Sequence, residues 1–385
     1  MHTGDIEALK AHAATEATTL HAHAVELSDW LHAHPETSFE EHEAVRRLVH
    51  LLTEERFAVQ EGVAGLETAF HATYSIDDGA PHVAYLAEYD ALPDLGHACG
   101  HNLIAAASWG AAVAVARTLE AHRLPGTVHV FGTPGQELYS GKATMVDAHC
   151  FDGIDAAMLV HPDDRNILDP LSMALHELEA SFRGASAHAA EAPHEGRNAL
   201  NAVLIMFRSI DALRQHVRSD VRIHGIITDG GTVAGIVPEF AQARFACRAH
   251  ERQTLDDVTR RVRQCAEAAA LATDTELALR SFEPRVDNMV HDGELAALFR
   301  ANWELHVDAI DRGRDCEPLG ALDTGNVSHV VPTIQPMVAA VPHGTRHHTK
   351  EFADAMVGHM AHAALRVAMR TLAMTGIDIL CRTTA

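Results

Sequence analysis

A cysteine and a histidine lie two residues apart in a glycine-containing turn, within Gly96–Asn102. The turn follows the apolar run Val83–Ala87, which predicts a buried strand, and precedes an Ala-rich segment, about 103–119, which predicts a helix. From such a turn Cys99 and His101 can reach one metal cluster, whereas inside a helix they would point to different faces. A buried free cysteine beside a surface histidine explains these two residues equally well, so the choice depends on ligands elsewhere.

The length and composition suit two globular domains. The chain has 385 residues, of which 47% are hydrophobic. It does not begin with a basic region followed by an apolar run, and no stretch comes near the roughly 20 apolar residues that a membrane span needs. The six cysteines, scattered without a pairing rhythm, are Cys99, Cys150, Cys247, Cys265, Cys316 and Cys381. We therefore expect a cytoplasmic protein with reduced thiols.

The charge balance excludes one large class of partners. The formal net charge is -23, and only three lysines are present. Nucleic-acid binding needs a basic face, so neither nucleic acid nor an acidic membrane surface is an expected partner. Most of the 30 histidines fall in Ala/His-rich helical segments without metal-ligand spacing and are interpreted as solvated helix residues.

Ligand-type residues recur where predicted strands end. Two helices come first, and Thr37 or Ser38 is expected to cap the second with the glutamates that follow. Asp90 follows the strand 83–88, Glu137 follows the strand 127–132, and His161 follows the strand 155–160. Parallel strands that meet at one sheet edge would gather such residues. We therefore predict an α/β domain with a mixed sheet flanked by helices.

The middle of the chain changes character. From about Met173 to Phe282 the pattern is strand, helix, two strands, helix and strand, which is the order of a ferredoxin-like layer. Ligand-type residues return only afterwards, at His347 and His348, before a final helix over about 351–374. We predict a discontinuous catalytic domain, residues 1–174 and 288–385, with an inserted α+β lid or dimerisation domain at 175–287.

Eight ordered motifs resemble the M20 family of metal-dependent peptidases and amidohydrolases, in the branch with a cysteine ligand that includes the aminobenzoyl-glutamate hydrolases. The motifs are His34–Glu36, Glu88–Leu92, His97–Asn102, Gly132–Pro134, His161–Pro162, Gly184–Ala189, Asp323–His329 and His348–Phe352. They are spread over almost the whole chain, and together they are far more specific than any one alone.

The resemblance implies a site with two metal ions. Its ligands would be Cys99 as a bridge, together with His101, Glu137, His161 and His348. Asp90 would hold an imidazole ligand in place. Imidazole, thiolate and carboxylate together suit zinc and allow manganese, cobalt or nickel. Two such ions polarise an amide carbonyl and make hydroxide available near neutral pH. His348 is preferred over its neighbour because it directly precedes the family-like Thr-Lys-Glu-Phe.

The resemblance also assigns tasks outside the metal ligands. It implies a homodimer formed through the inserted layer, in which His188 reaches the partner's site and stabilises the oxyanion. Arg248 would hold a substrate carboxylate, although a surface position at a strand end explains it equally well. Asn326 and Ser328 lie in a family-like loop, where they would bind substrate or only shape the loop.

Two residues depart from the family pattern. Gln136 stands where the family has the glutamate that takes a proton from the attacking water, and an amide cannot carry that proton. Gly235 stands where the family usually has an asparagine before the aliphatic pair and Pro238. A deliberate Glu-to-Gln exchange would explain the first departure but not the second, and natural divergence explains both.

The sequence therefore supports three functional hypotheses. The first is a dinuclear metal-dependent amidohydrolase that acts on an N-acyl amino acid, a dipeptide or a related small amide. The second is a divergent enzyme that uses the same metals for acyl transfer or amide condensation. The third is a catalytically silent metal-binding scaffold.

Overall fold

The computed structural model describes residues 3–77, 81–313 and 320–382. They form two compact units. The larger unit takes its described residues from Met1–Leu171, Met289–Leu319 and Asp323–Ala385, and the smaller unit comprises Ser172–Asn288 and Gly320–Leu322. The smaller unit is thus an insertion in the sequence of the larger one. Cys316 lies outside the described residues, and the other five cysteines are free thiols.

Ten helices and twelve strands are formed by the described residues. The helices are α1 (Thr3–Ala33), α2 (His42–Glu54), α3 (His101–His122), α4 (Gly141–Asp147), α5 (Ala199–Leu213), α6 (Arg252–Thr273), α7 (Gly293–Trp303), α8 (Thr324–Ser328), α9 (Lys350–Ala355) and α10 (His359–Leu380). The strands are β1 (Ala58–Glu61), β2 (Phe70–Ile76), β3 (His82–Ala87), β4 (Gly126–Gly132), β5 (Ala156–Met158), β6 (His161–Asp163), β7 (Ala174–Arg183), β8 (Arg222–Asp229), β9 (Phe240–Ala249), β10 (Glu276–Ser281), β11 (Thr333–Ile334) and β12 (Met337–Ala339).

A six-stranded mixed sheet lies at the centre of the larger unit, in the order β1-β2-β4-β3-β5-β11. The pairings of β1 with β2 and of β2 with β4 are antiparallel, and the others are parallel. Alternate residues of β3 enter different apolar clusters: Tyr85 packs in the cluster that contains α1, α3 and α10, and Leu86 packs with residues of α4 and α8. Helices therefore cover both faces, which confirms the predicted fold class.

Helix α3 is the central helix of this core. Among the described residues, it is the one helix whose length and composition would allow a membrane span, which differs from the expectation that no segment comes near that limit. Within the candidate window, 94% of the residues are buried in the protein. A Cβ atom at Gly110 would lie 2.3 Å from Met369 Cε, so α10 packs very closely on α3. The apolar character of α3 is explained by this packing.

The smaller unit has the predicted ferredoxin-like arrangement. Its four strands form an antiparallel sheet in the order β10-β7-β9-β8, and the element order is β7-α5-β8-β9-α6-β10. Burial alternates strictly along β9, and its buried residues pack with α5 and α6. This period of two is what a sheet covered on one face by helices requires.

Three local predictions were wrong. Neither Thr37 nor Ser38 caps α2; instead the Glu36 carboxylate accepts hydrogen bonds from the N–H groups of Glu43 and Ala44, at 3.0 and 2.9 Å. The final helix is divided into α9 and α10, because the backbone is extended at Gly358. The strand expected over 155–160 ends at residue 158, and a separate short strand, β6, begins at residue 161 and pairs with β12.

Candidate metal centre

Cys99 lies in the loop between β3 and α3, and His101 is the first residue of α3. Gly100, between them, has φ +77°, and a Cβ atom there would lie 2.3 Å from Pro162 Cγ. Only glycine tolerates both this conformation and this close approach. The Ala98 carbonyl accepts a hydrogen bond of 2.9 Å from the N–H of His348, which joins a distant loop to the cysteine. This backbone hydrogen bond therefore places His348, which comes from the last sequence segment of the larger unit, next to Cys99 from the first segment.

The imidazole of His101 is oriented by a buried carboxylate. Its Nδ1 donates to Asp90 Oδ1 at 2.9 Å, and Asp90 Oδ2 accepts from Ser38 Oγ at 2.8 Å and from the N–H of Glu137 at 2.9 Å. Burial acts to raise the pKa of Asp90, but contact with His101 and these donors hold it at about 2. The bond to Nδ1 turns Nε2 of His101 away from Asp90. Burial acts to lower the pKa of His101, but Asp90 and Cys99 raise it well above its ordinary value.

His161 and His348 face the same region from other segments. Nδ1 of His161 bonds the Pro162 carbonyl at 2.8 Å, and its Nε2 lies 3.5 Å from Cys99 Sγ. Burial lowers the pKa of His161 well below its ordinary value, which keeps the ring neutral. Nε2 of His348 lies 3.3 Å from Glu137 Oε2, and contacts with Cys99 and Glu137 raise its pKa to about 10.

His347 has a different position from its neighbour. Its Nε2 donates to the Pro162 carbonyl at 3.0 Å, and its ring contacts His161 edge-on and packs against Phe352. His347 thus supports the ring of His161, whereas His348 faces Glu137. The structure agrees with the choice of His348 as the candidate ligand, although that assignment remains a prediction.

The five candidate ligands form two groups that share Cys99. One group is Cys99, His101 and His161, the other is Cys99, Glu137 and His348, and within each group the donor atoms lie within 4.8 Å of one another. Two ligands of one tetrahedral ion, with bonds of about 2.0–2.3 Å, lie about 3.3–3.6 Å apart. The Cys99–His161 and Glu137–His348 separations fall in this range. The residues present therefore fit a pair of divalent ions.

Gln136 lies in the turn directly before Glu137 and is half-buried. Its side chain forms no hydrogen bond with the described part of the chain. The neighbouring Gly135 N–H donates to Glu41 Oε1 at 2.9 Å, and Glu41 Oε2 accepts from Thr68 Oγ1 at 2.7 Å. Burial, followed by repulsion from Asp90, raises the pKa of Glu41 to about 7. Glu41 thus holds the turn through the N–H of Gly135.

The residues predicted in the smaller unit are not all close to one another. His188 is exposed, and its Nδ1 accepts from the N–H groups of Ala190 and Glu191. The carbonyl of Gly235 accepts from the N–H of Ala189 at 2.9 Å, and an isolated antiparallel bridge joins His188 to Ile236, so the segment of His188 lies beside Gly235. Arg248 is the last residue but one of β9, close to the strand end where it was expected, and is half-buried.

The loop with Asn326 and Ser328 folds as the short helix α8 of the larger unit. Asn326 is buried, while Ser328 Oγ donates to the Gly325 carbonyl at 2.6 Å and accepts from the N–H of Val290 at 3.0 Å. Ser328 therefore has a structural use of its own. Their predicted contact with substrate stays a prediction.

Sequence reasoning missed a buried ionic group beside the candidate ligands. Lys142 Nζ lies 2.7 Å from Glu88 Oε1 and 2.8 Å from Asp323 Oδ1, and all three side chains are almost fully buried. In the sequence, Glu88 and Asp323 stand out only as parts of the motifs Glu88–Leu92 and Asp323–His329. The chain has only three lysines, and this scarcity was the one sequence signal that could have drawn attention to Lys142.

Comparisons with known proteins agree with this architecture. Residues 174–274 match the family model for the peptidase dimerisation domain of M20 proteins. The chain is 32% identical over 392 residues to the Xaa-Arg dipeptidase of Mus musculus, covering 98% of this chain and 90% of the relative. The chain belongs to the M20 family of metal-dependent peptidases and amidohydrolases. The resemblance found in its motifs is thereby confirmed.

Other relatives extend the comparison. This M20 enzyme is 36% identical over 266 residues to one of the subunits of p-aminobenzoyl-glutamate hydrolase from Escherichia coli, covering 64% of this chain and 55% of that one. Its fold is similar to an aminobenzoyl-glutamate utilization protein from Klebsiella pneumoniae (TM-score 0.74, 18% identity, 94% and 97% of the two chains). It is also similar to a dinuclear metal-binding M20 peptidase from Bacillus subtilis (TM-score 0.71, 20% identity, 94% and 99%).

Proposed function

We propose that this M20 enzyme hydrolyses the amide bond of a small substrate, a dipeptide or an N-acyl amino acid, with two divalent ions. The observation that carries the proposal is the convergence of one thiol, three imidazoles and one carboxylate in two groups that share Cys99. The curated relatives act, by their names, on Xaa-Arg dipeptides and on p-aminobenzoyl-glutamate. They are hydrolases, and they lend no support to acyl transfer, condensation or a silent scaffold.

The chain's own residues have separable tasks in this proposal. Cys99, His101, Glu137, His161 and His348 would hold the ions, with zinc as the first choice and manganese, cobalt or nickel as others. When bound, the ions polarise the amide carbonyl and lower the pKa of water. Asp90 fixes the tautomer of His101 through Nδ1 and anchors Glu137 through its backbone N–H. Ligands on several loops are therefore positioned before substrate arrives.

This enzyme has Gln136 at the position where the family has a glutamate that acts as the base. The amide of Gln136 cannot accept the proton that an attacking water molecule releases. The proposed hydrolysis then depends on electrostatic activation of the carbonyl and on positioning, without assistance from a base at position 136. We expect slow turnover compared with an M20 enzyme that has glutamate there.

A homodimer is the second part of the proposal. The match of residues 174–274 to a peptidase dimerisation domain supports it. Strand β8 is an edge of its sheet and exposes Ile226 and Ile227, at 63% and 43% of their surface, which suits association between edges. In such a dimer His188 would act as an oxyanion donor in the partner's site, and Arg248, Asn326 and Ser328 would contact substrate.

A cytoplasmic location is proposed from composition. The free thiols of the five described cysteines support a reducing environment. Cell fractionation with a tagged full-length chain tests it, and recovery outside the cytoplasm would reject it.

The test of function uses purified enzyme stripped with a chelator and reloaded with single divalent ions. The substrate panel contains dipeptides ending in arginine, p-aminobenzoyl-glutamate and N-acetyl amino acids, and mass spectrometry follows amide cleavage. We expect cleavage of at least one class, loss of cleavage on stripping and recovery on reloading. A fully loaded protein that cleaves no member of the panel would reject the substrate class. A protein that binds no divalent ion would reject the metal site.

A further inference from the structure

Two buried carboxylates hold the turn that carries Gln136 and Glu137. Asp90 Oδ2 accepts a hydrogen bond from the N–H of Glu137, and Glu41 Oε1 accepts one from the N–H of Gly135, each at 2.9 Å. Glu41 is completely buried, and Asp90 is almost completely buried. The two anchored N–H groups lie on either side of residue 136, so the backbone of the turn is fixed at both points.

The carboxylate of Glu41 is itself held in place. Its second oxygen, Oε2, accepts a hydrogen bond of 2.7 Å from Thr68 Oγ1, and the carbonyl of Thr68 accepts one of 2.6 Å from the hydroxyl of Tyr89. Tyr89 is buried and directly precedes Asp90 in the chain. Each oxygen of Glu41 therefore has a protein donor, and its side chain cannot turn away from Gly135 without leaving a buried donor unpaired.

The segment that contains Glu41 also packs against the turn. A Cβ atom at Gly135, where φ is +71°, would lie 2.7 Å from the ring of Phe39. Phe39 has a φ of +66°, which is unfavourable for a residue with a side chain and persists where the surroundings require it. Its ring stacks on that of Tyr139 at a centroid distance of 5.2 Å. Packing and hydrogen bonding thus fix the same part of the turn.

The two groups of candidate ligands depend on this turn to different degrees. The group that contains His348 takes one of its ligands, Glu137, from the turn. The group that contains His101 and His161 takes none, and Cys99 is common to both. A change in the anchor of the turn should therefore affect one metal position and spare the other.

We propose that Glu41 is a positioning residue for Glu137, and through it for the metal position that Glu137 shares with His348. Asp90 contacts both His101 and the N–H of Glu137, so it serves both metal positions, whereas Glu41 holds the turn alone. Loss of a group that orients a metal ligand typically weakens metal binding by about 10–100-fold. The inference rests on the proposed metal-dependent function and adds the anchor on which one of the two ions depends.

The test measures zinc binding, not turnover, in full-length protein that has been stripped with a chelator. Competition with a chromophoric chelator gives the affinity of each of the two zinc equivalents, and His348→Ala shows which equivalent occupies the position with Glu137. We expect Glu41→Ala to weaken the same equivalent by about 10–100-fold and to leave the other within about 3-fold of the parent. Glu41→Gln keeps an oxygen that accepts from Gly135, so both equivalents should stay within about 3-fold.

Two further variants control for a loss of stability. Glu36→Ala removes another carboxylate of the same loop, which accepts from the N–H groups of Glu43 and Ala44 at the start of α2. It should lower Tm without changing the affinity of either zinc equivalent. Where Glu41→Ala does not fold, Thr68→Val is the second measurement: it removes the hydroxyl that supports Glu41 and should weaken the same equivalent by at least about 3-fold.

The outcomes separate positioning from charge and from general stability. Parent affinity at that position in folded Glu41→Ala, or in Thr68→Val if Glu41→Ala does not fold, would overturn the proposal, as would equal losses of both equivalents. A Glu41→Gln protein as weak as Glu41→Ala would also overturn it, because charge and not geometry would then be what matters. A parent protein that binds no divalent ion would instead reject the proposed function itself.

Discussion

The two units differ in what they bury. Among the described residues, the smaller unit buries four polar or charged side chains: Ser172, Glu179, Thr259 and Asp287. The larger unit buries many more, including Glu88, Asp90, His101, Lys142 and His161. The ion-paired Glu179 in the smaller unit faces the arginines of neighbouring strands, and the main apolar cluster of that unit lies between its sheet and the helices α5 and α6.

The difference in buried charge indicates that the smaller unit is a scaffold and that the larger unit contains the candidate site. Burial of charge is unfavourable unless partners compensate it, so a chain concentrates buried charge where chemistry requires it. In the larger unit Glu88 and Asp90, which follow β3, contact His101 and Lys142. In the smaller unit burial alternates regularly along β9, as expected for a sheet covered on one face. The predictions that follow use the contrast between the units, from the largest expected effect to the smallest.

Removal of the shared thiol should have the largest effect. Cys99→Ala takes a donor from both groups, so bound metal should fall from two ions per chain to one or fewer. Amide hydrolysis should fall by about 10³–10⁴-fold, to near background, because the ions supply several kcal/mol of transition-state stabilisation. Elemental analysis and initial rates measure both outcomes, and His161→Ala should behave similarly.

Cys247→Ala is the matched control for the thiol. Cys247 is fully buried in the smaller unit, where burial raises the pKa of its thiol to about 12, and it lies in neither ligand group. We expect full metal content and unchanged turnover. Retention of both ions in Cys99→Ala and His161→Ala would contradict the ligand assignment.

Restoration of a base should have the next largest effect. Gln136→Glu supplies a proton acceptor beside Glu137, and general acid–base assistance is typically worth about 10²–10⁴-fold in rate. Single-turnover hydrolysis at matched metal loading measures the gain, with Gln136→Ala as the control that should show none. If Gln136→Glu gives no gain on any substrate, the missing base is not the limit. Gly235→Asn is then the next variant, since a Cβ atom at residue 235 meets no atom within 4 Å.

The sequence predicted the two regions with different success. The smaller unit followed from periodicity, because burial alternates along β9 and because α5 and α6 each bury one face against the sheet. The ligand positions at residues 99, 101, 137, 161 and 348 came from family-like motifs, and the structure brings their side chains together. Periodicity could not have predicted that these side chains meet, because they lie in loops or at the first residue of an element, where tertiary contacts decide their positions.

The residues that sequence reasoning missed are those whose roles depend on distant partners. Glu88 is separated from Lys142 by more than fifty residues and from Asp323 by more than two hundred, and no local pattern links them. The helix cap supplied by Glu36 was missed for a similar reason, since its acceptor oxygens reach seven and eight residues ahead instead of the usual three. Charge pairing across a core is a property of the folded chain.

The smaller unit should matter to catalysis through His188. If His188 is an oxyanion donor across the proposed dimer, His188→Ala should lower kcat by about 10²–10³-fold while metal content and the sedimentation coefficient stay unchanged. His216→Ala, at another exposed histidine of the same unit, is the control. Unchanged turnover in His188→Ala, or a protein that sediments as a monomer with full activity, would contradict the role.

Acid should destabilise the larger unit through a chain of three histidines on its sheet. His71 Nε2 and His129 Nδ1 are 2.9 Å apart, and His129 Nε2 is 2.9 Å from His82 Nδ1. Each neutral ring can donate one bond and accept one, whereas a protonated central ring could only donate. Burial lowers the pKa of His71 to about 4, and burial with repulsion from its neighbours lowers that of His129 to about 3.

The sign of the effect follows from proton uptake. Unfolded histidine titrates near 6.5, so between about pH 6.5 and pH 4 the unfolded chain binds protons that the folded chain does not. Stability is therefore full above about pH 7 and falls as the pH decreases. His71 and His129 should each lower the free energy of unfolding by about 2 kcal/mol between pH 7 and pH 5. Urea titrations with chelator present, so that metal loading does not vary, measure this difference. His129→Phe should reduce the difference in unfolding free energy between pH 7 and pH 5 by about 2 kcal/mol. His50→Gln, at an exposed histidine, should leave this difference unchanged. The same pH dependence in His129→Phe and in the parent would show that the acid sensitivity arises elsewhere.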